Sequence, residues 1–422
     1  MAQLIADSMA GAGDVAVERW AASGAMALTG AADGPPLAST ARVAPAVDAL
    51  ASHIAEVTGR LGRELRLDGA ALLGERAAIA GLGRRGGISC GGATSLLRAR
   101  DGWFAVALAR PTDLELLDAW LGQTLGVSTK LPMVEWEAVA AMVAKAARAE
   151  LVDTAVLLGL PCASLGEVPA DGPLVEVSAV REGRDERRAI DGFTIVDLSS
   201  LWAGPLCAHV LGAAGARVIK VESATRPDGA RLGPPGFFDL LHAGHESVAL
   251  DFAADNGRRW LRRLIETADV VIEASRPRAL AALGVSFDQV HEAGWRGVWV
   301  SITGYGRSGD AGRRVAFGDD AAVAGGLVSE FEGSPMFCAD AVADPVSGLV
   351  AAASVLRFVD QGITGIIDVA LARTAAHLAA GVQRHPPPYV TPVIQVAAPR
   401  ARIPAGKAAP IGTHTDAVLS TL

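Results

Sequence analysis

Asp344-Pro345 opens the small-residue run DPVSGLVAAASVL, the pairing expected where a helix starts, with an N-cap acid before a first-turn proline. A carboxylate there meets backbone N–H groups and the positive end of the helix dipole. It can stay ionised while poorly solvated, as a carboxylate nucleophile must. Asp340 lies four residues earlier, and Asp319-Asp320 form a second acidic pair at a helix start. Gly325-Gly326, with Gly86-Gly87 and Gly91-Gly92 far upstream, can present bare backbone N–H groups to a developing oxyanion, although most such glycines serve turns or close helix contacts. Lys220, Arg226 and Arg231 flank the loop after the strand-like run RVIKVE, Arg276 opens the segment after VVIEA, and all four place cations where an anionic ligand of a parallel sheet would lie. His242 and His245 have metal-like spacing, but no third ligand or acidic partner is nearby in sequence, so no metal is expected. Cys207 reads as a small apolar residue of a packed helix. Trp202, ahead of Ala203-Gly204-Pro205, either packs or lines a pocket.

These side chains need a scaffold, and FTIVDLSSLWAGPLCAHVLGAAGARVIKVE (193–222) supplies its beginning. The β-branched run TIVDL, the Ala-Gly-Pro turn, an apolar helix closed by Gly215 and the strand RVIKVE make a βαβ unit. A crossover of that length requires parallel strands. The polar stretch SATRPDGARLGPPG reads as a ligand-facing loop. Then SVALDF, the helix NGRRWLRRLIETA capped by Asp255, VVIEA and VWVSITGYG continue the alternation. The expected fold class is α/β, a Rossmann-like parallel sheet with helices on both faces plus a smaller α+β domain, its ligands bound beyond the carboxyl ends of the strands.

The small domain is expected at 61–185. It holds the Gly- and Arg-rich run GERAAIAGLGRRGGISCGG, a hairpin turning at Asp101-Gly102, and helical stretches near 112–124 and 134–149. The charged segment from Val180 to Gly192 reads as the linker to the sheet domain at 190–385, with a tail at 386–422. Residues 1–60 contain a weak internal repeat: the stretch starting at Ser23 is similar to the one starting at Ala324, with Ala44-Pro45 where the second copy has Asp344-Pro345.

The chain has 422 residues, half of them apolar, and a formal charge of −8. That is length for two to three domains, and the dispersed arginines argue against a nucleic-acid surface. Four separated cysteines without a CxxC, and no secretory leader, lead to an expected reducing, cytoplasmic compartment without a membrane span.

Taken as a set, VDLSSLWAGPLCAHVLGAAGARVIKVE, SVALDF and its helix, ADVVIEASRP, WVSITGYGRSG, ADPVSGLVAAASVL and IIDVALARTAAHL resemble the class III CoA-transferases, the family that includes the α-methylacyl-CoA racemases. RARDGWFAVALARPTDLELLDAWLG resembles the smaller domain of that family. It stands here before the sheet domain instead of after it, which implies that residues 1–185 descend from the back half of a truncated first copy.

The resemblance implies an enzyme that moves CoA from an acyl-CoA thioester to a carboxylic acid, with Asp344 as nucleophile and with mixed-anhydride and aspartyl-CoA intermediates. It further implies CoA as a substrate held by Lys220, Arg226, Arg231 and Arg276, a turn at Trp202, Ala203 and Gly204 beside it, Gly325 and Gly326 as oxyanion donors, and a homodimer. Three departures stand out. His245-Glu246 replaces a basic pair, Ala282 replaces an arginine, and Phe317 stands where racemases carry a proton-shuttling His. The last favours transferase over the α-methylacyl-CoA isomerase alternative. The first two leave a catalytically silent acyl-CoA-binding homologue as the other alternative.

Overall fold

The computed structural model describes residues 1, 3–4, 6, 13–39, 41–126, 135–183, 189–380 and 394–422. The N-terminal part supplies helices α1 (Gly13–Ser23), α2 (Val43–Arg60) and α3 (Glu75–Ala80) and the hairpin β1 (Thr94–Ala99) and β2 (Gly102–Ala107). Helices α4 (Pro111–Leu125), α5 (Trp136–Val143) and α6 (Arg148–Leu158) follow, then the short β3 (Cys162–Ser164), which completes an antiparallel sheet in the order β1-β2-β3. The hairpin turns at Arg100-Asp101, one residue earlier than expected, because Gly102, with φ +157°, already pairs with Ala99 as the first residue of β2. The helix expected at 134–149 is instead two pieces, ending at Val143 and restarting at Arg148; residue 134 lies outside the described residues.

The second part alternates: β4 (Glu176–Glu182), β5 (Thr194–Asp197), α7 (Ala203–Ala214), β6 (Arg217–Ser223), α8 (Pro235–His242), β7 (Glu246–Leu250), α9 (Asp255–Thr267), β8 (Val270–Glu273), α10 (Pro277–Ala282), α11 (Phe287–Glu292) and β9 (Val298–Thr303). After α12 (Gly318–Ala324) and the hairpin β10 (Val328–Phe331) and β11 (Ser334–Phe337) come α13 (Ala343–Gln361), β12 (Ile363–Ala370), α14 (Leu371–Ala379) and α15 (Thr415–Leu419). Seven strands make one sheet in the order β4-β12-β9-β8-β5-β6-β7. Its six strands from β12 to β7 are parallel, as the alternation requires.

One expectation changes. β4 joins the sheet antiparallel to β12, with a bulge between Thr364 and Ile366, so the large sheet is mixed. Val180 to Glu182, expected as linker, are thereby part of the sheet; residues 184–188 of that segment lie outside the described residues. Asp255 is likewise not an N-cap. Ala254 holds that position, and Asp255 sits in the first turn paired with Arg258.

Side chains alternate between the two faces of the sheet with the period of two that strands impose. Ile195, Ile272, Val300 and Ile367 share a core with α7, α13 and, beyond them, α2. Val196, Val271, Trp299 and Ile366 share another with α9, α11 and Val418 of α15. Between α13 and α7, Gly348 lets the helices close: a Cβ there would lie 2.6 Å from the Ala203 carbonyl oxygen. The described tail from residue 394 runs over both parts of the molecule, with Pro399 against Gly24 and Gly74, Arg402 on Glu75, Ala408 bridged to Ala243, and His414 and Thr415 bonded to β7.

Candidate active site

A cleft of ≈ 670 Å³ opens beyond the carboxyl ends of the parallel strands, bordered by Leu198 after β5, Ser223 of β6, Phe252 after β7, Ser275 after β8 and Gly304 after β9. The chain order reverses here, since β6 and β7 lie to one side of β5 while β8, β9 and β12 lie to the other. Such switch points leave a crevice because the flanking connections cross to opposite faces.

Asp344 lines this cleft from within the first turn of α13 and is not its N-cap, a position that Val342 holds. The Gly318 N–H donates to its carboxylate, and a Cβ on Gly318 would come within 2.5 Å of Asp344 Oδ2, so close an approach admits only glycine. Burial pushes the Asp344 carboxyl up to about 7, with Asp319 and Asp340 adding to the rise, while the Arg76 guanidinium and the Gly318 N–H pull it back. Asp319 is pushed up to about 6, mainly by burial and then by Asp340; its Oδ1 accepts the Ala341 N–H at 2.9 Å. Asp340 is fully buried and grips Arg76, with Nε to Oδ2 at 2.9 Å and Nη2 to Oδ1 at 2.5 Å. Near neutral pH the arrangement holds a carboxylate that can exist in either charge state, in a mostly dry setting and with one face on a cleft. It can serve as nucleophile or base.

The structure separates the candidate residues. Arg226 and Arg276 line the cleft together with Ala203. Arg276 has its affinity for a proton lowered by burial and then by the neighbouring cations Arg278, Arg110 and Arg226. Lys220 and Arg231 are committed elsewhere. Lys220 is 1% exposed, 3.0 Å from Asp228 and 3.6 Å from Asp197, and also donates to the Ser199 carbonyl. Arg231 clasps Glu222, with Nη2 to Oε2 at 2.6 Å, and stacks on Phe238. Gly325 is a helix contact, because a Cβ there would lie 2.4 Å from the Ala376 nitrogen of α14. Gly326 is a turn residue with φ +78°. Neither is among the residues lining the cleft. Trp202 packs edge-on to Phe237 and beneath Arg76, and Gly204 abuts Ser199.

Three contributors are additional to those candidates. Arg110, held by Asp113 and lying 5.8 Å from the Phe317 ring centroid, brings the N-terminal part to the cleft wall. Arg314 does so from the other side, bonded to Glu167 and the Cys162 carbonyl. Arg76 lies behind Asp344, against Asp340. The tetrapeptide Arg110-Pro-Thr-Asp113 carries a local signal, a helix start with an acid at its third position; for Arg76 the sequence offers none. Of the remaining readings, His242 and His245 are buried with their Nδ1 atoms 3.4 Å apart, and Cys207 is buried in α7. Among the described residues no group of three or more His, Cys, Asp or Glu side chains is arranged to hold a metal ion, and no helix is long and apolar enough to cross a membrane.

Residues 190–392 match the family model described as CoA-transferase family III. A probable fatty acyl-CoA transferase of Mycobacterium tuberculosis is 30% identical over 208 residues, which is 46% of this chain and 53% of the relative. The succinyl-CoA:glutarate CoA-transferase of Homo sapiens is 28% identical over 179 residues, 40% of this chain and 41% of the relative. A crystal structure of a hypothetical protein from Mycobacterium tuberculosis aligns with TM-score 0.43 and 31% identity, over 45% of this chain and 56% of that one. The chain spans about half the length of the curated relatives it matches.

Proposed function

We propose, from the match of residues 190–392 to CoA-transferase family III, that this protein transfers CoA from an acyl-CoA thioester to a carboxylic acid with Asp344 as nucleophile. The observation that carries the reading is the position of Asp344, a carboxylate on the same cleft wall system as Arg226 and Arg276 and at the carboxyl edge of the sheet.

The reaction closes without a cofactor. Asp344 attacks the thioester carbonyl, giving an acyl-aspartyl anhydride and CoA thiolate. The thiolate attacks the aspartyl carbonyl and releases the donor acid, leaving an aspartyl-CoA thioester. The acceptor carboxylate attacks that thioester to form a second anhydride, and the thiolate then takes the acceptor acyl group and frees Asp344. Each step exchanges one acyl bond for another of similar energy. The protein's task is positioning and charge control. Arg226 and Arg276 suit the phosphates of CoA, and the remaining wall, with Ile302, Val315, Phe317 and Leu371, suits an acyl chain. Phe317 can carry no proton, so the α-proton exchange of a racemase lacks its second group at this position.

The same reading treats residues 1–60 as a degenerate copy of the Asp-bearing segment. In its support, α2 begins one residue before Ala44 as α13 begins one residue before Asp344, and both run for nearly the same length, 18 and 19 residues. The two segments also meet: the Ala339 N–H donates to Thr29 Oγ1 at 3.0 Å and Ser329 Oγ donates to the Ala38 carbonyl at 3.2 Å.

The test is incubation with a panel of acyl-CoAs and free acids, read by mass for mixed CoA products, with hydroxylamine trapping of the acylated enzyme. Expected are new thioesters and an adduct on Asp344 that Asp344→Asn lacks. Acyl-CoA binding without exchange or adduct would identify a silent binding homologue instead, and deuterium uptake at the α-carbon an isomerase.

A further inference from the structure

We propose that Arg76, contributed by the N-terminal half of the same chain, is a positioning residue that keeps the Asp344 nucleophile ionised through its hold on Asp340. The inference rests on the role given to Asp344 above and goes beyond it, because it assigns to the N-terminal half a part in catalysis.

The geometry is specific. Arg76 lies in the first turn of α3, next to Glu75, and its guanidinium is a two-pronged clamp on Asp340, at 2.9 and 2.5 Å. Asp340 sits four residues ahead of Asp344 on the loop that leads into α13. On its other side the guanidinium faces Trp202, its Cζ 5.5 Å from the ring centroid, and Trp202 is the N-cap of α7, whose first residue lines the cleft. Arg76 therefore joins the starts of the two helices that frame the reacting carboxylate. A Cβ on Gly91 would lie 3.7 Å from its Nη2, so the Gly-rich loop is also packed on it.

The charges make the same case. Facing Asp344 are Asp319 from α12, Asp340 from the loop before α13, Arg76 from α3 and the Gly318 N–H, and the neighbouring Asp320 of α12, whose carboxyl burial pushes well up, also feels its charge. Against Asp340 lie Arg76 and the Cys90 thiol, which burial keeps protonated and neutral. Three carboxylates thus share one cation. With Arg76 neutralised, their mutual repulsion in a dry site would be relieved by protonation, and a protonated Asp344 cannot attack a thioester.

The experiment is the pH dependence of kcat/KM for Arg76→Gln, Arg76→Lys and Asp340→Asn. The first removes a cation from the cluster and should move the acid limb upward by ~1 pH unit, a roughly tenfold loss at pH 6 that fades by pH 9. Arg76→Lys should keep the parental limb. Asp340→Asn retains Arg76 and removes an anion, and should move the limb downward. A merely structural role would lower the rate at every pH and shift nothing. Superimposable profiles for the parent, Arg76→Gln and Asp340→Asn would overturn the proposal, and should Arg76→Gln fail to fold, the direction of the Asp340→Asn shift still decides. If the parent transfers no CoA, the function reading has failed, and the present inference is then judged on the Asp344 carboxyl itself. Its ¹³C resonance, assigned by its absence in Asp344→Asn, should titrate higher in Arg76→Gln than in the parent.

Discussion

At the scale of single residues, the tightest constraint on the site is the absence of a side chain at position 318. Alanine there would put a methyl group 2.5 Å from both Asp344 Oδ2 and the Ala341 carbonyl oxygen, and neither group can withdraw without moving the start of α13. Gly318→Ala should fold with a loss of about 1–3 kcal/mol and lose CoA transfer by at least ~100-fold, as measured by denaturant unfolding and by turnover. Asp344→Asn tests the other side of the same balance. Burial places the folded-state value near 7 against 3.8 for an ordinary aspartate, so between about pH 4 and pH 7 the folded protein holds a proton that the unfolded chain has released. Stability falls through that window, and the full penalty stands above it. Removing the charge should therefore raise Tm at pH 8, by an amount equivalent to ~2 kcal/mol once the partial exposure of the group is allowed for, and leave it nearly unchanged at pH 4. A variant that is inactive yet more stable, with the gain confined to the higher pH, is the expected signature of a strained functional carboxylate. In the parent, kcat/KM should fall about tenfold per unit below an apparent pKa near 7.

At the scale of elements, α13 carries the nucleophile and owes its position to the close approach of α7. Gly348 lies one turn beyond Asp344 and its missing Cβ would meet the Ala203 carbonyl and the Leu206 side chain. Gly348→Val should push the helices apart, cost about 2–3 kcal/mol, and raise KM for acyl-CoA, because Ala203 is itself part of the cleft wall. This alternation of strand and helix was legible in the sequence from Phe193 onward, because each strand is a short β-branched run and each crossover is long enough to demand parallel pairing. The start of α13 was legible to within two residues through Asp-Pro before a run of small residues, the helix beginning earlier with Val342 as its N-cap and Asp344 inside the first turn. Lys220 shows where such reading stops. In RVIKVE every position from Val218 to Val221 is buried on one face or the other of a parallel sheet, so the pattern does not separate a ligand-facing lysine from one enclosed by Asp197 and Asp228. Gly325 shows the same limit, since a glycine that admits a neighbouring helix and a glycine that admits an oxyanion look alike until the neighbour is in place. Arg76 and Arg110 were hidden for a different reason: the chain brings them to the cleft only by folding its N-terminal half back on the sheet, and no local spacing records that return.

At the scale of the whole molecule, the tail adds a tie between the two halves beside the Arg76–Asp340 pair. Arg402 reaches Glu75 with Nε at 2.5 Å and Nη2 at 2.9 Å, and its Nη1 lies 2.6 Å from His209 Nε2 on α7. Burial, then Arg402 and His245, push His209 down to about 3, so at neutral pH it is an uncharged acceptor for the guanidinium. Glu75 is 1% exposed and immediately precedes Arg76. Arg402→Met would leave that carboxylate buried without a cation, its Oε1 keeping only the N–H of residue 402, at a cost of about 2–4 kcal/mol given the partial exposure of Arg402. Replacing both partners, Arg402→Met with Glu75→Gln, removes the stranded charge and should recover most of the loss, a coupling that thermal unfolding of the four proteins in the cycle would measure. Activity should separate this strap from the charge relay beside it. The single variant loosens α3 and should lower turnover, but it leaves the guanidinium of Arg76 in place, so the acid limb of its pH profile should stay where the parent has it while that of Arg76→Gln moves. If Arg402→Met moved the limb as far as Arg76→Gln does, the tail and not Arg76 would be setting the charge of the nucleophile.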